Sequence, residues 1–73
     1  MPIGMYSHNH TQDVAADTWT IVHNLGTNAP VVDVYVDIDG SRSKIIPKEV
    51  KVVDNKTLQI VFSETRTGVA AIR

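Results

Sequence analysis

Period-two alternation is the feature that most constrains this chain, because it recurs along the sequence while no convincing helical period does. In residues 31–38, Val32, Val34, Val36 and Ile38 share one face of an extended backbone, and Asp33, Tyr35 and Asp37 share the other. Leu58, Ile60 and Phe62 alternate in the same way with Thr57, Gln59 and Val61. Trp19, Ile21 and His23 form a third set, and they run directly into Asn24-Leu25-Gly26. A strand that carries the only tryptophan on its apolar side has its largest available core anchor there. Asn24 suits the start of a turn, Leu25 can fold back as an apolar plug, and Gly26 supplies the positive φ that the reversal needs.

Turn signals cut the rest into short strands. Gly26, Asn28 and Pro30 close the first, Asp39-Gly40 is a hairpin signal after Val31 to Ile38, and a third strand runs from Lys44 to Ile46. Pro47 ends that strand because it donates no ladder hydrogen bond. Val50 and Val52 resume an apolar face, Asp54-Asn55 turns, Thr57 to Ser63 follows, and residues 64–68 connect to a closing strand from Val69 to Ile72. Five or six closely spaced strands predict an all-β fold, a small antiparallel β-sandwich or else a small barrel. Residues 18–73 form the single β-domain. Residues 1–17 read as an extended N-terminal arm, with Met5 and Tyr6 available to pack and Asp13 to Asp17 long enough for one helical turn but not for a helix standing alone.

A chain of 73 residues has a small core, and such a core rarely supplies more than about 3 to 5 kcal/mol net. No cysteine is present, so disulfides and cysteine-zinc sites cannot add to it, and oligomerisation becomes the favoured staple. The net charge of −1, from interspersed acids and bases, lacks the footprint of a nucleic-acid binder. No apolar run reaches the length of a membrane-spanning helix, and the first twenty residues lack the pattern of a signal peptide, so synthesis in a cytoplasm is expected.

Candidate chemistry is sparse. His23 has no cysteine nucleophile to serve, and the serines have no oxyanion-hole motif beside them, so a histidine bonded to turn backbone is the favoured reading and a hydrolase a distant one. Asp33, Asp37 and Asp39 lack the glycine and distal glutamate of a calcium loop and read as a solvated strand face. His8 and His10 share a side of an extended backbone, but one pair supplies too few ligands for a tight metal site and reads first as part of a polar arm. Tyr35, Val53 and Val61 fall on outward parities, and apolar groups on both faces of a small sheet fit a subunit interface.

The order Trp19-x-Ile21-x-His23-Asn24-Leu25-Gly26, then Pro30, the Val-rich strand, Asp39-Gly40, the strand from Asp54 to Phe62 and the ending Gly68 to Ala71 resembles a small β-domain of bacteriophage tail, baseplate and fibre proteins. The likeness spans roughly residues 18 to 73, and its W-x-I-x-H-N-L-G string is the most specific part. It implies a non-enzymatic virion structural protein acting in assembly or host attachment. The implied partners are copies of itself in a homotrimer, other virion proteins, and a glycan or protein of the host surface. It also implies a structural role for His23. The His8-Asn9-His10 spacing is similar to iron sites at the tips of some phage fibres, where three chains would contribute six nitrogens around an axis. No other cofactor is expected. The rival reading is a small carbohydrate-binding module, for which Tyr35 and polar loops would have to serve.

Overall fold

A computed structural model describes residues 7–73, so Met5 and Tyr6 lie outside the described residues. The described residues form five strands: β1 (His8–Val22), β2 (Val32–Ile38), β3 (Ser41–Ile45), β4 (Glu49–Val52) and β5 (Thr57–Ile72). All pairings are antiparallel, and the sheet runs β1-β5-β2-β3 with β4 also on β5. The expected all-β antiparallel class is therefore present. Among the described residues the sheet is open, with β1 and β3 at the ends of the main path, and the barrel alternative is not formed.

Strand β5 organises the sheet because both of its halves are flanked. Residues 68–72 lie between β1 and β2, and residues 58–61 lie between β1 and β4. A straight strand of 16 residues would span about 53 Å at the usual rise, yet the longest extent of the Cα trace is 42 Å. The β1-β5 ribbon therefore bends, and the sheet folds over on one face, an arrangement compatible with a small β-sandwich. Even-numbered residues of β5 point inward on both sides of the bend: Leu58, Ile60 and Phe62 in one half, Ala70 and Ile72 in the other. Val34 and Val36 of β2 and Trp19 and Ile21 of β1 complete a single core.

Pairing across the bend is irregular. Residues 13–15 of β1 stand against Thr67 alone, and residues 62–65 of β5 stand against Asp17 alone. The two excesses leave a net offset of one residue, and a one-residue slip exchanges the faces of a strand. Before the bend, His8, His10 and Gln12 oppose the inward Ile72, Ala70 and Gly68; after it, Trp19 and Ile21 oppose the inward Ile60 and Leu58. One strand thus presents even residues to the core at one end and odd residues at the other.

Two boundaries differ from the sequence expectation. From His8 onward, the extended N-terminal segment belongs to the sheet, and Asp13 to Asp17 lies within β1 rather than in a helical turn. Residues 64–68, expected as a connection between two strands, lie inside one continuous β5. In both places the polar composition reports an exposed edge or bend, and an exposed backbone can still pair in a ladder. The Asp39-Gly40 hairpin is as expected, with φ of 51° and 82° and Ile38 paired to Ser41, the geometry of a tight primed turn. Gly68 is fixed by a close approach: a Cβ there would collide with the carbonyl of Tyr35 and come within 2.8 Å of the Val36 Cα.

Trp19 is fully buried (0% exposed), and its ring lies 4.7 Å from that of Phe62 at a tilt of 58°. Its indole Nε1–H donates to the Arg66 carbonyl at 3.1 Å. Arg66 opposes Ala16, the isolated pair between the two register shifts. Trp19→Ala is expected to cost about 3 to 5 kcal/mol and to leave the chain largely unfolded. Trp19→Phe, which keeps most of the packing but drops the hydrogen bond, is expected to lose about 1 to 3 kcal/mol. Urea denaturation followed by far-ultraviolet circular dichroism reads both, and a native midpoint for the alanine variant would refute the anchor.

Candidate functional site

The Trp19–Gly26 segment is a strand followed by a lock onto a second turn. Trp19, Ile21 and His23 continue one inward parity, and all three are buried, His23 at 3% exposure. Backbone N–H groups of His23 and Asn24 both donate to the Lys56 carbonyl, at 2.8 and 3.1 Å, and Thr27 N–H donates to the Asn55 carbonyl at 2.9 Å. Asn24 and Gly26 adopt φ of 56° and 68°, the left-handed region that asparagine and glycine tolerate best. The reversal leaves Leu25 packed against the core.

The imidazole of His23 holds this loop from within. Its Nδ1 accepts the Leu25 N–H at 3.0 Å, which places the proton of the neutral ring on Nε2. Nε2 is buried and has no hydrogen-bond partner among the described residues. The facing turn is tied in its own right, because Asp54 Oδ1 accepts the Lys56 N–H at 2.8 Å while Val53 and Asp54 N–H donate to the Thr57 carbonyl. Chemically, the H-N-L-G residues satisfy backbone groups where two loops meet.

The interface candidates are placed on different parts of the sheet. Tyr35, half-buried, opposes Lys44 and Val69 in the four-stranded half; Val61, half-buried, opposes Thr18 and Glu49 in the other half; Val53 follows β4 and is exposed. Around Tyr35 the outer face is charged. Asp33 pairs with Lys44 at 3.3 Å and Arg73 at 3.2 Å, while Asp37 pairs with Arg42 at 3.0 Å and accepts the Thr67 hydroxyl at 3.3 Å. Asp33 and Asp37 therefore meet cations of the same chain, a use of these carboxylates that alternation alone did not signal, since it depends on β3 and the chain end lying alongside β2.

His8 and His10 do share a face, and it is the inward one near the open end. The His10 ring lies 6.0 Å from Trp19, and its Nε2 is 2.7 Å from Gln12 Oε1. Within one chain, the described residues form no cluster of three or more potential metal ligands. An axial iron would draw its ligands from three chains and would compete with Gln12 for the His10 nitrogen. No protein-family model matches the chain, and neither does a curated protein or a solved structure.

The Lys44 ammonium donates to the Asp33 carboxylate, and with the charges of Lys44 and Arg73 it outweighs desolvation, holding the Asp33 carboxyl below its ordinary value of 3.8. A depressed folded-state value stabilises the fold fully above the ordinary carboxylate range, and that contribution fades as pH falls through the folded value. Asp33→Asn is therefore expected to lower the melting temperature slightly at neutral pH and to flatten its decline in acid. Melting curves in a pH series check this, and parallel curves for the two proteins would refute it. His23→Ala removes the acceptor of the Leu25 N–H together with buried ring packing, so a loss on the order of 2 kcal/mol is expected. An unchanged urea midpoint would show that the ring does not hold the loop.

Proposed function

We propose that this chain is a non-enzymatic assembly module of a bacteriophage virion, part of a tail, baseplate or fibre, that associates with copies of itself and with other virion proteins. The observation that carries the reading is the amount of large apolar side chain left at the margins of so small a sheet. Ile46 is 95% exposed, Val14 76% and Val22 53%, and Val50 and Val52 remain exposed although they oppose the core residues Ile60 and Leu58. A core of this size has little stability to spare, and association would remove these groups from water. The internal use of His23 and of the H-N-L-G backbone also supports a motif kept for architecture. A three-fold arrangement and attachment to a host-surface glycan or protein are what the resemblance of the W-x-I-x-H-N-L-G segment adds.

Light scattering on the purified chain tests the assembly reading. A mass of several chains, three for a fibre-like arrangement, is the expected result, and the mass of a single chain across the micromolar range would remove its main support. A glycan array separates the rival class: saturable binding that is lost in Tyr35→Ala would favour a carbohydrate-binding module.

A further inference from the structure

Among the described residues the sheet has three free edges, and they are not equally guarded. Edge strands resist pairing with other chains when they carry lysine, other charges or proline, or when a bulge twists them away. β3 carries Arg42 and Lys44, and β4 is short, carries Glu49 and Lys51, and follows Pro47. The middle of β1 is broken by its register shifts. Thr18-Trp19-Thr20-Ile21-Val22 has no such guard: it is uncharged, contains no proline, is rich in β-branched residues and runs in unbroken register beside β5.

Its hydrogen-bonding groups point in a known direction. His23 N–H donates to the Lys56 carbonyl in the register that continues Val22 with Thr57. Antiparallel ladders alternate, so Ile21 and Trp19 also turn their backbone groups toward β5, while Thr18, Thr20 and Val22 turn theirs away from it. Among the described residues no strand pairs with that outer side.

We infer that residues 18–22 of β1 pair antiparallel with the same residues of a second copy, around a two-fold axis at Thr20. The segment fits itself. In this register Thr20 meets Thr20 and Thr18 meets Val22, so every outward N–H and C=O finds a partner, about six hydrogen bonds in all. The flanking Asp17 falls opposite His23 of the second copy and not opposite another acid. Moving the axis to Thr18 runs the pairing into the irregular stretch around Ala16, and moving it to Val22 runs it into the Asn24 turn. Thr18, Thr20 and Val22 then form a continuous outer face across the axis. The inference goes beyond the assembly reading by naming the self-associating surface. Alone it makes a dimer, and on a three-fold assembly it would join trimers in pairs.

Sedimentation across a concentration series, with opposed charges placed at the axis, tests it. Thr20→Lys and Thr20→Glu each set like charges against each other and are expected to weaken self-association about tenfold. Mixing the two proteins is expected to restore it as a heterodimer. Val22→Pro gives a second reading, because the N–H it removes turns away from β5 and meets no strand among the described residues. Circular dichroism and Trp19 emission establish that each variant is folded. An oligomer indifferent to all three substitutions would overturn the edge contact and leave the assembly reading standing. Weakening by both charges without rescue on mixing would overturn the two-fold register. A single-chain mass for the unaltered protein would overturn both the contact and the assembly reading.

Discussion

The hydrogen bond from the Trp19 indole to the Arg66 carbonyl sits where this fold is most exposed to failure. A ribbon as long as β1 and β5 can fold over only if its ladder gives way at the bend, and a ladder that gives way leaves backbone groups without partners. Here Trp19 packs against Phe62 from the inside and also takes up the Arg66 carbonyl at the irregularity. One side chain therefore fills the core and mends the seam that the core requires. The two halves of the sheet can then close on one face, with Ile21, Leu58 and Ile60 from one half meeting Val34, Val36 and Ile72 from the other.

The one-residue offset in the same ribbon follows from this need. A regular pairing of β1 with β5 would put either His8 and His10 or Trp19 and Ile21 on the outside, since their parities differ. The unequal excesses, residues 13–15 on one strand and 62–65 on the other, let both sets face inward. The result is a graded interior, apolar around Trp19 and polar toward the His10–Gln12 contact. Gly68 lies next to the irregularity, where β5 runs so close to the backbone of Tyr35 and Val36 that no side chain fits.

The groups that looked most like chemistry are largely occupied with structure. His23 satisfies Leu25, the Lys56 carbonyl takes two turn donors, and Asp33 and Asp37 meet Lys44, Arg73 and Arg42. What faces outward without a partner among the described residues is of another kind: the backbone edge of residues 18–22 and apolar side chains such as Ile46 and Val14. Both are features that a second chain can satisfy, by strand addition and by burial from water.

Local chemistry determined much of this in the sequence. Alternation marked the inward faces of β2 and of both halves of β5, because side chains on a strand must alternate. Asp39-Gly40 and Gly26 marked positive φ, because few residues tolerate it. Trp19, Ile21 and His23 were legible as one buried face for the same reason. Only the tertiary structure decided that His8 to Gln12 is strand and that Glu64 to Thr67 continues one, since a polar stretch pairs or not according to the backbone that lies beside it. It also decided the register, and with it which of β1's two parities faces the core at each end, the cations that Asp33 meets, and which edge is left unguarded. Each of these depends on contacts between residues far apart in the chain, and a period read along the chain does not contain them.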